Sequence, residues 1–160
     1  MRVLSTFATL TALAAMAISS HAAGATRTLK LHQDKPAMVT LDLGSKGHSE
    51  GDMLAFEASV SGENGVKGTL YGLWITVDVI DSADKFEDRL GQIYADFGNG
   101  NSIVIAGRAV YVVDSQEITV SAPQVRAIIG GTGDYMGARG QVTTTHNADG
   151  SYDHLIELSE

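Results

Sequence analysis

Glycine punctuates this chain from end to end. Eighteen glycines against two prolines recur in short polar clusters, such as Gly44-Ser45-Lys46-Gly47, Gly62-Glu63-Asn64-Gly65, Gly98-Asn99-Gly100-Asn101 and Asn147-Ala148-Asp149-Gly150. Between the clusters lie runs rich in β-branched residues, at 28–33, 37–43, 52–61, 67–80, 87–97, 102–113, 125–129, 137–146 and 152–158. None of them carries a long 3.6-residue apolar period. Turn-forming clusters between β-branched runs predict strands joined by tight connections. The run 67–80 alternates: Tyr71, Leu73, Ile75, Val77 and Val79 share one face, and Leu70, Gly72, Trp74, Thr76 and Asp78 the other. Eight or nine strands in one small domain suit a barrel or a sandwich. The length of 67–80 and the interior glycines Gly72 and Gly107 favour a barrel, because closure requires coiled strands and glycine relieves crowding at bends.

The N-terminus reads differently. Arg2 precedes an uncharged apolar stretch, Val3 to Ile18, and small residues follow at Ser20-His21-Ala22 and Ala23-Gly24-Ala25. This pattern predicts a secretory signal peptide over residues 1–22, with a cut as late as residue 25, and a barrel domain over 27–160. The apolar stretch is short of the ~20 residues a membrane span needs. The expected location is secreted or periplasmic. The whole chain carries 11 basic and 19 acidic residues. Losing Arg2 leaves 10 against 19, a net charge of −9. Such a surface repels phosphates, which argues against nucleic-acid and anionic-membrane partners and mildly favours neutral or cationic ligands. There is no cysteine, so packing alone must hold the exported domain together.

The stretch Ala127 to Gln141, "AIIGGTGDYMGARGQ", resembles the GGTG-x-[FY]-x-x-ARG signature of dirigent proteins and the GGSG-x-F segment of allene oxide cyclases. Upstream, "GDMLAFEASV" (Gly51 to Val60) is similar to the GD-x-L-x-F strand of both families. "GTLYGLW" (Gly68 to Trp74) resembles a dirigent strand, and "YADFGNGNSIVIAGR" (Tyr94 to Arg108) a cyclase segment. The matches keep their order from Gly51 to Val142. The resemblance implies an all-β fold, an eight-stranded antiparallel barrel of the allene oxide cyclase/dirigent type. It also implies a homo-oligomer, dimer or trimer, a lumen open at one end, and no metal or organic cofactor. Cyclases close a reactive epoxide in such a lumen, and dirigent proteins steer reactive phenolic intermediates. Both act by fixing one geometry. The implied partner is a small apolar or phenolic ligand.

The candidate residues follow. A phosphate-binding loop needs Gly-Lys-Ser/Thr or a following helix, and Tyr135-Met136-Gly137-Ala138 leads into a strand instead. The glycines Gly130, Gly131 and Gly133 therefore read as positive-φ residues crossing a barrel end. Asp134 and Arg139 read either as an ion pair or turn cap at the barrel rim or, from the resemblance, as a proton-transfer acid and an anion holder at the open end of the lumen. His32 reads as a strand histidine or as an acid–base group where cyclases carry a catalytic Glu. Trp74, Tyr71, Tyr94 and Phe56 are the expected ligand contacts, with Trp74 facing inward by family parity. Ala58 stands where both families place Asn or Asp, which argues against cyclisation by the plant mechanism. His146, His154, Asp149 and Asp153 flank one turn and read as its polar shoulders rather than as a metal site. Three functions remain open: a cofactor-independent isomerase or cyclase, a non-catalytic guide or carrier, and a structural barrel with a filled interior.

Overall fold

The computed structural model describes residues 26–78, 85–113 and 115–159. The leader expected over 1–22 lies outside the described residues, as do Val79, Ile80 and the turn after them. Nine strands are described: β1 (Thr26–Gln33), β2 (Ala37–Leu41), β3 (Met53–Gly62), β4 (Lys67–Asp78), β5 (Phe86–Asp96), β6 (Ser102–Val112), β7 (Gln124–Thr132), β8 (Gly140–His146) and β9 (Tyr152–Ser159). Neighbours from β3 to β9 pair antiparallel in chain order. The ring closes through β1, which pairs along its whole length with β9 and over Leu31–Gln33 with the end of β3. Eight strands thus form a closed antiparallel barrel. β2 is an extra strand, hydrogen-bonded to the first half of β3 from Ala37↔Glu57 to Leu41↔Met53.

Alternation decides what fills the interior. Leu70, Ile103, Ile128, Val142 and Ile156 are all buried and form an aliphatic core. Each such side chain contributes about 1.5–3 kcal/mol of apolar burial. On β4 the inward face is Leu70, Gly72, Trp74 and Thr76, while Tyr71, Leu73, Ile75 and Val77 remain 40–45 % exposed. Gly72 is required: a Cβ there would collide with the Phe56 ring, which lies directly over it.

The antiparallel order sorts the connections between two ends. At one end, here called the mouth, lie Gln33, the start of β3, the end of β4, the start of β5, the end of β6, the start of β7 and the β8–β9 turn. The connections β3–β4, β5–β6 and β7–β8 lie at the far end. The glycine expectation needs a correction here. Gly130 and Gly131 belong to β7, beside a register shift against β6. Of the three, Gly133 has the expected positive φ, and Gly137 and Gly140 share it. At Gly133 (φ +59°) a Cβ would also strike the Asn101 side chain. The far-end turn fits only because that atom is missing.

Candidate functional site

The mouth half of the barrel holds a cavity. Its wall is apolar on one side, with Leu54, Phe56, Trp74 and Ile93. The other side is polar, with Gln33, Tyr111, Arg126, Thr144, Tyr152 and His154. Met38 from β2 and Gln116 and Ile118 from the segment before β7 roof it over. The roof is stitched by Gln116, whose amide donates to Thr40 Oγ1 at 2.9 Å, and by Arg89, which donates to the Ser115 carbonyl at 2.8 Å. The cavity volume is about 30 Å3. The pocket is formed but narrow.

Burial controls its electrostatics. His154 is satisfied on both ring nitrogens, at 3.0 Å from Thr144 Oγ1 and 2.9 Å from Gln33 Oε1. Desolvation, helped by the Arg126 charge, pushes its pKa down to about 4. It is therefore a neutral imidazole at pH 7. Burial also raises the phenols: Tyr111 to about 12, and Tyr152 still further from its ordinary value. Arg126 is 4 % exposed, with its guanidinium carbon 4.8 Å from the Trp74 ring centroid. Above the cavity, Glu87 is fully buried and accepts from Arg89 Nε at 2.6 Å. His48 pairs with its other carboxylate oxygen. Arg89 in turn lies 4.1 Å from the Tyr111 ring centroid.

The sequence-derived candidates divide sharply. Trp74 and Phe56 line the cavity. Tyr71 and Tyr94 do not. They face each other in register on β4 and β5 and stand 45 % and 41 % exposed on the outer surface. The reason is parity: Tyr71 shares its face with Leu73, opposite Trp74. His32 is also outward, with Nδ1 2.8 Å from Asp153 Oδ1. That hydrogen bond raises the His32 pKa and lowers that of Asp153. Asp134 and Arg139 sit at the far end, exposed and away from the cavity. Asp134 joins two far-end connections, its N–H donating to Asn101 Oδ1 at 2.8 Å and its carboxylate accepting from Asn101 Nδ2 at 3.3 Å. Arg139 folds back on the Ala138 carbonyl at 2.7 Å. Neither stands at the open end of the lumen.

The turn histidines also separate. His146 and His154 are buried inside, whereas Asp153 points out to His32. Among the described residues no three His, Cys, Asp or Glu side chains converge as a metal site would require. Among them, too, no helix is long and apolar enough to cross a membrane. Sequence reasoning missed Arg126, Tyr152, Glu87 and Arg89. Strand parity carried the signal, since Arg126 shares its face with Ile128, and Glu87 and Arg89 share theirs with Ile93 and Ala95.

No protein-family model matches this chain, and no curated protein does. Solved structures do match. Pyocyanin demethylase superposes with a TM-score of 0.60 at 22 % identity, covering 84 % of this chain and 100 % of that one. A pterocarpan synthase dirigent protein gives 0.57 at 17 % identity, covering 84 % and 83 %. The chain has the dirigent-type barrel fold. A Diels–Alderase from Streptomyces koyangensis shows the same barrel, with a TM-score of 0.60 at 20 % identity over 84 % of this chain. This chain spans 64 % of that enzyme's length. At these identities the likeness is one of fold.

Proposed function

We propose that this protein is an exported barrel that binds a small, largely apolar, oxygenated molecule in the mouth-end cavity and orients it for isomerisation or cyclisation. The observation carrying this reading is the two-sided lining, with Phe56, Trp74 and Ile93 facing Tyr111, Arg126, Tyr152 and His154. An apolar wall with a few converging polar groups is the usual build of a ligand site. Fixing one conformer of a reactive molecule is itself worth up to ~7–11 kcal/mol of barrier. The neighbouring folds named as a demethylase, a Diels–Alderase and a dirigent protein support a chemistry of this kind. In this reading Asp134, Arg139 and His32 stand outside the cavity, and the polar groups facing a bound molecule include the neutral phenols and imidazole inside.

The narrowness of the cavity favours a second reading, a barrel filled for stability alone. Trp74 separates the two, because it is the chain's only tryptophan and stands in the cavity wall. Its emission should shift on titration with phenolic or fatty-acid-derived compounds. Met38→Ala should open the roof and speed association about tenfold or less, with little loss of stability, since the side chain is only partly buried. If no compound alters the emission of either protein, the filled-barrel reading stands.

The proposal includes self-association. Leu73, Ile75 and Leu90 line an exposed groove on the outer face, floored by Gly91, Ala106 and Gly107. Contiguous exposed apolar surface on an acidic chain marks an interface. Leu73→Glu should convert the oligomer to monomer in light scattering. A wild-type protein already monomeric at micromolar concentration would remove this part of the proposal.

A further inference from the structure

Arg126 is the one cationic side chain among the described residues lining the cavity, and no Asp or Glu lines it with Arg126. Burying a guanidinium without a carboxylate is costly, and native chains normally pair such charges. Here the nearby acids are already committed. Glu87 is held by Arg89 and His48, and Glu117 lies 3.5 Å from His146. Arg126 itself makes one long contact, Nη2 to Gln124 Oε1 at 3.4 Å. Among the described residues, neither Nε nor Nη1 has a hydrogen-bond partner. Both nitrogens are buried, so bulk water does not serve them either.

The position of the group is fixed from behind. The guanidinium lies over the Trp74 indole, which itself meets Tyr111 edge-on at 6.2 Å between ring centroids. The ring covers one side of the guanidinium, and Nε and Nη1 are the N–H groups left without a protein partner among the described residues. Such N–H groups are the part that matches a carboxylate. The surrounding polar groups, Tyr111, Tyr152, Thr144 and neutral His154, carry no charge at pH 7 and so cannot compensate the cation. Burial weakens Arg126's hold on its proton, and the missing counter-charge is what would restore it.

We infer that the cavity takes an anion: a small, mostly apolar carboxylic acid, bound as its carboxylate against the free N–H groups of Arg126, with its apolar body against Phe56, Leu54 and Ile93. A carboxylate is favoured over a phenolate because it is ionised at neutral pH without help from the site. The sign of the ligand is opposite to the one that the overall acidity of the chain suggests. The acidic surface acts at long range and is screened, whereas the lumen cation acts at contact in a low dielectric.

This inference rests on the reading of the cavity as a ligand site, and its test separates the two. Phenylacetate, cinnamate and octanoate are titrated against their carboxamides, with calorimetry and Trp74 emission as readouts. The amides keep shape and apolar area and lose only the charge. The acids should bind the wild-type protein about tenfold or more tighter than the amides, the difference made by a charge-assisted hydrogen bond. Arg126→Met, which keeps the stem, should erase the preference, and Arg126→Lys should retain part of it. Should Arg126→Met fail to fold, the wild-type comparison and Arg126→Lys still decide. Equal binding of acids and amides overturns the anion inference and leaves the ligand site standing. Absence of binding by every member of both series overturns both.

Discussion

Glu87→Ala is expected to destabilise the protein by about 3–5 kcal/mol, read as a lower urea midpoint with an unchanged slope. This is the size of loss seen when one partner of a buried ion pair is removed and the other is left in low dielectric. Glu87 has no solvent exposure. Its two oxygens are divided between Arg89 and His48, and Arg89 is itself only 7 % exposed. Deleting the carboxylate strands the Arg89 cation between the Tyr111 ring and the Ser115 carbonyl. The damage should not stay local, because the Arg89–Ser115 hydrogen bond holds down the segment that roofs the cavity. A double change, Glu87→Leu with Arg89→Met, should recover most of the loss, since an apolar pair of similar volume replaces the ions. A single-variant loss below about 1 kcal/mol would mean that the pair is hydrated, contrary to its burial.

Acid is expected to weaken the fold from about pH 6.5 downward, through His154. The folded pKa of His154 is pushed down to about 4 from 6.5, with burial the main cause. Below pH 6.5 the unfolded chain binds a proton that the folded chain refuses. Stability therefore falls as pH drops from about 6.5 to about 4 and levels off below that for this group. The loss approaches about 3 kcal/mol if the full shift is realised. Asp52, Asp149 and Asp153, all lowered from 3.8, contribute their own loss only in a more acidic window. His32 works the other way. Its raised pKa gives stability that is complete below 6.5 and lost as pH rises through the folded value. Urea midpoints between pH 7 and 4.5 should fall steeply in the wild type and less steeply in His154→Gln. Parallel slopes in the two proteins would assign the acid loss elsewhere.

Strand existence and order could be read from this chain, because turn clusters and β-branched runs are local signals. Facing was legible where the alternation had one polar side. It was ambiguous on β4, where Leu70 and Trp74 on one face compete with Leu73 and Ile75 on the other. Placing Trp74 inward already implied that Tyr71 is outward, and one face cannot supply both. Asp134 and Arg139 attracted attention because glycine surrounds them. Yet those glycines serve a turn that packs Tyr135 against Phe97, at 5.4 Å between ring centroids. Arg126 was hidden by an ordinary assumption, that a charge in a strand faces water. Its neighbours Val125 and Ile129, both exposed, show the assumption reversed. The Glu87–Arg89–His48 cluster was hidden for the same reason. His48 reaches it from a loop 39 positions earlier in the numbering, a contact that no local pattern announces.

The pairing of β1 with β9, from Thr26↔Ser159 to Gln33↔Tyr152, has a consequence for how the molecule is made. Every other strand from β3 onward finds a partner next to it in the chain, so hairpins can accumulate as residues emerge. The last gap cannot be zipped until the strand at 152–159 has been synthesised and brought back to the strand at 26–33. Joining segments so far apart costs loop entropy before any contact repays it, and such topologies form slowly. Until that moment the growing sheet keeps two raw edges, and the interior, Arg126 included, stays open to water. A shortened chain lacking the final strand would therefore not be a slightly weaker barrel but an open, adhesive sheet.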